Sequence, residues 1–197
     1  MEPSPYIVGI GGTVRAGSST ERALRYALDA CEQDGATVVS FTGVDLAALP
    51  LYAPELPERT PVAMRLIEEL RRADGVIVAS PGYHGSVSGL VKNALDYVED
   101  MRDDGQPYFA GRAVGCIATG SGWQGVVTTL EALRAIVHAL RGWPTPMGAA
   151  INSALPYCNP DGAITDERVQ FQLSTVAGEV MQFAKWRLAS LAHATER

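Results

Sequence analysis

The sequence predicts an α/β fold in which helices cover both faces of a doubly wound, five-stranded parallel sheet. Short apolar runs rich in β-branched residues alternate along the chain with longer segments whose apolar residues recur at helical spacing. The run at residues 75–79 (GVIVA) contains no polar side chain, which is typical of a parallel strand buried on both faces. No fixed-period repeat and no Pro/Gly/Ser-rich linker divides the chain, so we expect a single domain over residues 1–197.

The first half of the chain supplies three predicted strands and two helices. The strands are predicted over residues 6–10, 37–41 and 75–79, and the helices over residues 21–33 and 62–72. Between them, residues 45–61 contain four prolines. Because proline removes a backbone donor and restricts the residue before it, we expect this segment to be a long surface loop without regular helix.

The second half continues the alternation of strands and helices. Helices are predicted over residues 88–101, 126–140 and 165–191, and strands over residues 113–118 and 147–151. Parallel strands joined in this way require right-handed crossovers, and such sheets bind ligands beyond the carboxyl ends of their strands. The loops after the first, third and fourth predicted strands are therefore the places where a functional site is expected.

Composition and charge exclude several classes of protein. The chain is 47% hydrophobic and 19% charged, which is ordinary for a globular domain and unlike a disordered chain. Its formal net charge of −6 repels polyphosphate chains, so we expect no nucleic-acid partner. No apolar stretch approaches the roughly 20 residues that span a bilayer, and the first residues lack the features of a signal peptide. We therefore expect no membrane partner and a cytoplasmic location.

The three cysteines indicate neither a disulfide framework nor a metal site. Cys31, Cys116 and Cys158 are odd in number and widely spaced, and none belongs to a C-x-x-C pair. Buried, reduced thiols are the simplest interpretation.

The loop after the first strand, residues 11–20 (GGTVRAGSST), combines flexible backbone, hydroxyl donors and one guanidinium group. Amides at a helix start favour an anion, the hydroxyls can donate hydrogen bonds, and Arg15 supplies positive charge, so the loop is typical of a phosphate cradle. The structural alternative is a simple turn with a serine N-cap, which would explain Ser18 or Ser19 but not the whole run.

Two other nucleotide-binding motifs fit this loop poorly. A Walker A loop requires Lys where Ser18 stands. A dinucleotide fingerprint requires a small residue where Val14 stands and a ribose-binding acid where Thr42 stands. The loop therefore disfavours ATP, GTP and a tightly held dinucleotide.

The loop after the third strand places backbone groups where they could hold a ring. Pro81, Gly82 and Gly85 can form an exposed shelf of backbone amides and carbonyls. Flanked by Tyr83 and His84, such a shelf could engage the edge of a planar heterocycle and pack against its face.

These two loops resemble the NAD(P)H-dependent FMN reductase family. Residues 80–96 are similar to its S-P-x-Y-x-x-S-x-x-G-x-x-K-N-x-x-D signature, and residues 12–20 are similar to its G-S-x-R-x-x-S phosphate loop. The resemblance implies a flavodoxin-like three-layer sandwich with strand order 2-1-3-4-5. It implies that the FMN phosphate is surrounded by Thr13, Arg15, Ser18, Ser19 and Thr20, and that the isoalloxazine ring is lined by Pro81, Gly82, Tyr83, His84 and Gly85.

Two details of the resemblance are looser. Thr20 stands where many relatives have Asn, which keeps a donor but alters one hydrogen bond. The loop after the fourth strand looks like the family's Gly-rich loop beside the flavin. This similarity implies further flavin contacts from Thr119, Gly120, Ser121 and Gly122.

The activity implied by the resemblance is hydride transfer from NADPH or NADH to FMN, and onward to a small-molecule electron acceptor. The acceptor could be free flavin, which would supply a flavin-dependent monooxygenase, or a quinone or azo compound. The resemblance also implies a homodimer or homotetramer, with the flavin near the interface. We expect the proline-rich segment at residues 45–61 and the helix around residues 123–141 to contribute to that interface. Two alternatives stay open: a flavodoxin-type single-electron carrier, although the chain lacks the T-x-T-G-x-T loop of flavodoxins, and a non-catalytic flavin redox sensor.

No side chain is predicted to be catalytic, because the cofactor itself carries hydride chemistry. His84 is accordingly expected to position the ring, and Lys92 and Asp96 to form a modest pair along a helix. His138 is expected to be a core or interface residue.

Overall fold

Among residues 4–195, five parallel strands and one short antiparallel strand form the sheet. The computed structural model describes residues 4–195. The strands are β1 (Tyr6–Gly11), β2 (Thr37–Phe41), β3 (Gly75–Tyr83), β4 (Ser86–Val87), β5 (Ala113–Gly120) and β6 (Trp143–Asn152). Their order is β2-β1-β3-β5-β6, with β4 paired antiparallel to the end of β3. The predicted order of the five parallel strands is thereby confirmed.

Residues 4–195 contain six α-helices, five of them between strands and the sixth after β6. They are α1 (Ser19–Gln33), α2 (Gly43–Ala47), α3 (Pro61–Arg72), α4 (Gly89–Asp96), α5 (Trp123–Ala139) and α6 (Glu167–Thr195), and a 3₁₀ turn at Tyr97–Met101 follows α4. Ser or Thr occupies the N-cap position of four helices within the described residues, α1 to α4. The Ser18, Thr60 and Ser88 side chains accept from the backbone amides of Glu21, Ala63 and Val91, which satisfies donors that have no partner within the helix.

Alternate residues of the central strands feed two separate cores, one on each face of the sheet. Ile7 and Ile77 point into the core under α1 and α6, while their neighbours Val8 and Val76 point into the core under α3, α4 and α5. All four side chains are fully buried. A strand that is buried on both faces needs apolar residues at every position, which is why β3 begins as an unbroken apolar run.

Several details differ from the sequence prediction, including the end of β3, which runs to Tyr83 rather than to residue 79 and so takes in Pro81 and Gly82. The loop predicted at residues 45–61 is wrong at its start, because α2 runs to Ala47 and the first proline comes only at Pro50. Strand β6 starts at Trp143, four residues before the predicted start, and includes two prolines, which an edge strand tolerates. The helix predicted over residues 88–101 is α4 followed by a 3₁₀ turn, and β4 was not predicted.

The cysteines are free thiols in the part of the chain that the structure describes. Cys31 and Cys116 are buried, as predicted, and burial raises the pKa of each to about 12. Cys158 is only partly buried. None of the helices within residues 4–195 is both long and apolar enough to cross a membrane.

Candidate functional site

A cleft lies at the carboxyl ends of β1, β3 and β5. Its volume is about 220 Å³. Eleven of the fourteen residues predicted for the site line it: Thr13, Arg15, Ser18, Ser19, Thr20, Pro81, Gly82, Tyr83, Thr119, Gly120 and Ser121. The other three, His84, Gly85 and Gly122, lie within two residues of a lining residue in the chain but do not line the cleft. The parallel sheet therefore brings together three loops that are far apart in sequence.

The first loop presents donors at the start of α1. Ser18 is buried, and because its Oγ serves as acceptor for the Glu21 amide, its own hydroxyl proton is available to donate toward the cleft. The amides of Ser19 and Thr20 lie in the first turn, where a helix offers no carbonyl partner. Ser18 can therefore cap helix α1 and donate a hydrogen bond to a bound anion at the same time.

Arg15 carries the only cationic side chain that lines this cleft among the described residues. Its backbone amide donates to Thr13 Oγ1 at 3.2 Å, which fixes the turn, while its side chain is exposed. The guanidinium group makes no ion pair or hydrogen bond with any residue between 4 and 195. A planar fork of unused donors beside hydroxyls is suited to bind a phosphate group.

A buried hydrogen bond joins the first and third loops. Thr20 Oγ1 and Thr119 Oγ1 are 2.6 Å apart, and both residues are almost fully buried. Because each hydroxyl can donate only one proton, one of the two still has a proton to offer elsewhere. The pair fixes the floor of the cleft between β1 and β5.

The second loop is the tip of a tight hairpin between β3 and β4. Tyr83 pairs with Ser86, and the two residues between them have positive φ, 53° at His84 and 82° at Gly85. Two consecutive positive φ values define a type I′ turn, which matches the twist of the flanking strands. The turn leaves the Tyr83 ring 55% exposed at the mouth of the cleft.

Gly82 brings this hairpin against α5. A Cβ atom there would be 2.6 Å from Thr129 Oγ1 and 3.2 Å from the carbonyl oxygen of Gly125. The buried Thr129 hydroxyl donates to the Gly125 carbonyl oxygen at 2.6 Å and also lies 3.3 Å from the carbonyl oxygen of Ser86 in β4. The close approach requires glycine and sets the position of the predicted ring shelf.

The third loop ends at the N-terminus of α5, whose first amides have no side-chain cap. Gly122 occupies the N-cap position, and the exposed Trp123 follows it. A 17-residue helix that begins beside the cleft favours negative charge there. Ser153, which the sequence analysis missed, also lines the cleft, and its amide donates to the Gly120 carbonyl at 2.8 Å. Its position just after the last predicted strand was the available signal.

A second, more apolar depression continues the cleft past Tyr83. The two share Thr13, Pro81 and Tyr83, and the depression adds Gly12, Val14, Ser88, Gly89 and Leu90. Together they form one groove that is polar around Arg15 and apolar toward Leu90. Such a gradient suits a ligand with an anionic end and a flat apolar end.

Three motif residues and one histidine lie outside this groove. Lys92 Nζ is 2.5 Å from Asp96 Oδ1, which is the predicted helix pair. Asn93 instead binds the proline-rich segment, accepting from the Tyr52 amide and donating to the Pro50 carbonyl, both at 2.8 Å. His138 is exposed on α5, so it is not a core residue of this chain, and its place at an interface stays a prediction.

The residues present fit FMN. The hydroxyls, the unpaired guanidinium group and the helix start suit its phosphate, and the hairpin shelf with Tyr83 suits a planar ring. The fold and the cleft thus define a flavodoxin-like α/β protein whose site, at the ends of three strands, suits a phosphorylated aromatic cofactor.

Comparison with known proteins gives the family. The model of the NADPH-dependent FMN reductase family matches residues 5–155, and the chain belongs to that family. It is therefore an oxidoreductase that uses FMN with NADPH as co-substrate.

Relatives and a solved structure agree with this assignment. The chain is 28% identical to an FMN-dependent NADPH-azoreductase of Staphylococcus aureus over 183 residues, 87% of this chain and 91% of the relative. It is 27% identical to an NAD(P)H-dependent FMN reductase of Pseudomonas aeruginosa over 167 residues, 83% and 86% of the two chains. The flavoenzyme NAD(P)H:(acceptor) oxidoreductase FerB from Paracoccus denitrificans superposes with a TM-score of 0.76 at 20% identity, covering 93% and 98%, and shows the same fold.

Proposed function

We propose that this chain reduces a planar, conjugated acceptor (an azo compound, a quinone or free flavin) with electrons from NADPH or NADH, through FMN held in the cleft. The single observation that carries the proposal is the unpaired Arg15 guanidinium group beside the hydroxyl-lined start of α1. A group whose donors the fold does not use is available for a ligand phosphate.

The first loop is proposed to bind the phosphate through Thr13, Arg15, Ser18, Ser19 and Thr20. The second and third loops are proposed to line the ring, through Pro81, Gly82, Tyr83, His84 and Gly85 and through Thr119, Gly120, Ser121 and Gly122. When bound, FMN supplies the redox chemistry, accepting a hydride from the nicotinamide and passing electrons to the acceptor. Helix α5 begins two residues after the lining residue Ser121, and its N-terminus favours negative charge on a ring bound nearby.

The open mouth of the cleft supports a flat acceptor. Tyr83 lines the cleft and Trp123 comes two residues after the lining residue Ser121, and their side chains are 55% and 54% exposed. Exposed aromatic side chains can stack on a conjugated ring, and nothing in either loop selects one acceptor chemistry over another. The names of the relatives, an azoreductase and an FMN reductase, are consistent with acceptors of this class.

Anaerobic stopped-flow absorbance tests the reductive half of this function. FMN-loaded protein is mixed with excess NADPH and, separately, with NADH. We expect rapid bleaching of the flavin band with at least one donor. A flavin band that persists with both donors would overturn the proposal and favour an electron carrier or a sensor.

Steady-state turnover then ranks the acceptors. Oxidation of the preferred donor is followed with an azo dye, a quinone and free FMN in parallel. Turnover with at least one of them is expected. If none is reduced by protein whose flavin bleaches, the proposed class of acceptor is wrong.

Self-association is a further proposal. Leu51 and Leu56 of the proline-rich segment are strongly exposed, as is Trp123 on the other segment predicted to be at the interface. Their exposure supports a homodimer or homotetramer. A monomeric mass by light scattering at micromolar concentration would contradict it. A flavin-dependent monooxygenase partner and a cytoplasmic location stay predictions.

A further inference from the structure

A second polar pocket lies at the opposite edge of the sheet, where β3 and β5 begin. Its volume is about 330 Å³, and it is lined by Arg71, Asp104, Gly105, Gln106, Arg112 and Arg187. Strand β3 has nine residues between the two edges, so roughly 25 Å separates this pocket from the flavin cleft. The function proposed above leaves the pocket unexplained.

Arg112 is a buried cation without a carboxylate partner. The residue is only 3% exposed, and its guanidinium group donates to the carbonyl oxygens of Ala73 (2.7 Å), Tyr108 (2.6 Å) and Arg71 (3.0 Å). It forms no ion pair with any residue between 4 and 195. Three of its five N–H groups are used in this way, and each of the three donates to a backbone carbonyl oxygen.

Arg187 enters the same pocket from α6 with a donor to spare. Its Nη1 is 2.6 Å from Asp74 Oδ1, and its Nη2 donates to Gln106 Oε1 at 3.1 Å. Its Nε is buried and has no acceptor among the described residues. A buried N–H without an acceptor costs about 1–3 kcal/mol in general, so such groups usually mark a site where an acceptor binds.

The charges around the pocket do not cancel. Arg71 is paired with Asp104, Nε to Oδ2 at 2.8 Å, and Arg187 is paired with Asp74. Three guanidinium groups therefore face two carboxylates. Burial and the positive charge of Arg187 lower the pKa of Arg112, and the charges of Asp74 and Asp104 offset this lowering only in part.

We propose that this pocket binds a phosphate group between Arg112 and Arg187, with Arg71 and Gln106 at its rim. Tetrahedral oxygens would accept from the guanidinium donors that the fold leaves unused, and the negative charge would balance Arg112. The bound group would tie α6 to the start of β5 and to the loop at residues 104–106. The proposal does not depend on the function proposed for the flavin cleft.

Isothermal titration calorimetry on FMN-saturated protein tests this proposal. Saturating the protein with FMN keeps the probe away from the first loop. The probes are inorganic phosphate and glycerol phosphate at constant ionic strength. We expect saturable binding at one site per chain, and Arg187→Gln should weaken it by about tenfold or more, because a charge-assisted hydrogen bond is lost. Tighter binding of the ester would identify a phosphorylated metabolite as the source of the group.

Two further variants make the result specific. Arg102→Gln removes the same charge from an exposed, ion-paired arginine nearby and should leave the affinity unchanged. Gln106→Glu places a carboxylate beside Arg187, so it should raise the melting temperature without phosphate and abolish the further rise that phosphate causes. This second readout decides the matter if Arg187→Gln fails to fold. Absence of saturable binding, equal loss in Arg102→Gln, or an unchanged phosphate response in Gln106→Glu would overturn the proposal.

Discussion

The loop after β1 and the proline-rich segment at residues 48–60 each carry an arginine, and the two arginines are used in opposite ways. Arg59 donates to both oxygens of Asp100, at 2.6 and 2.9 Å, and to the backbone carbonyls of Ala53 and Leu56. Its guanidinium carbon also lies 5.0 Å from the ring centre of Tyr52. Arg15 uses none of its side-chain donors on the described part of the chain. The fold thus uses the donors of Arg59 for its own contacts and leaves those of Arg15 available to a ligand.

The same contrast holds for the groups around the two arginines. In the proline-rich segment, Asn93 clamps the backbone at Pro50 and Tyr52, and the Tyr52 hydroxyl donates to Asp100 at 3.1 Å. In the first loop, hydroxyls and helix-start amides point toward a cleft. Residue type alone therefore does not separate structure from function. What separates them is whether the fold satisfies the donors.

The largest loss of stability is expected from a substitution that displaces the whole loop after β1. Gly43 begins α2 directly beneath this loop, and a Cβ atom there would lie 1.7 Å from the Thr13 carbonyl oxygen. Gly43→Ala should therefore displace the loop and reduce the free energy of unfolding by about 3 kcal/mol, with a matching loss of FMN affinity. Urea unfolding and a fluorescence titration with FMN measure the two effects.

Gly178→Ala in α6 is the matched control for this substitution. A Cβ atom at residue 178 meets no other atom within 4 Å. Alanine there should stabilise the helix by up to about 1 kcal/mol and leave FMN affinity unchanged. Equal effects of the two substitutions would show that the contact with Thr13 does not hold the loop.

Breaking the Arg59–Asp100 ion pair of the proline-rich segment should lower stability and leave the affinity for FMN unchanged. The side chains of Arg59 and Asp100 are 14% and 20% exposed, so Asp100→Asn should cost about 2 kcal/mol of unfolding free energy at pH 7 by leaving Arg59 without its counter-charge. The affinity for FMN should change by less than about twofold, since the clamp lies outside the cleft. A large loss of FMN affinity with intact stability would contradict the division between the two regions.

The pH dependence of the same variant is a separate check. The hydrogen bond from Arg59, and a second from Tyr52, hold the pKa of Asp100 below its ordinary value of 3.8. A carboxylate with a lowered pKa in the folded state stabilises the protein above its unfolded pKa, and the contribution is lost as the pH falls through the folded value. The stability difference between the wild type and Asp100→Asn should therefore be constant at neutral pH and narrow below about pH 4. A difference that is independent of pH would mean that Asp100 is not ionised in the fold.

Removing the Arg15 side chain should have the opposite pair of effects, a loss of FMN affinity with unchanged stability. Arg15→Gln should weaken FMN binding about tenfold, corresponding to one lost charge-assisted contact of about 1.4 kcal/mol, while unfolding of the apoprotein stays unchanged. Arg15→Lys should restore part of the affinity, because it returns the charge without the planar fork. Arg25→Gln, on the exposed face of α1 and paired with Glu21, is the control that should leave affinity unchanged.

The sequence predicted most of the strands and helices, but it did not show which polar side chains the fold would use. Strand β3 could be predicted because burial on both faces leaves an unbroken apolar run. The hydrogen bonds of Asn93 to the proline-rich segment could not be predicted, because its partners lie 41 and 43 residues away in the chain. Spacing within a motif gives no information about such contacts. The His84-Gly85 turn was missed because histidine is an uncommon residue at positive φ. The position of Ser153 after the last predicted strand was a signal in the sequence, but the hydrogen bond from its amide to Gly120 was not.

The smallest combined effect on stability and activity is expected at Lys92, which belongs to the motif at residues 80–96 but lies outside the cleft. Lys92 and Asp96 are both more than 40% exposed, so solvent screens their pair, and Lys92→Gln should cost only about 0.3 kcal/mol of unfolding free energy. Since Lys92 lines neither the cleft nor its apolar extension, turnover with NADPH should stay within about twofold of the wild type. A severalfold loss of turnover at unchanged stability would place Lys92 with Arg15 among the available cations. It would also show that an ion pair seen within one helix does not exclude a second, functional role for the same ammonium group.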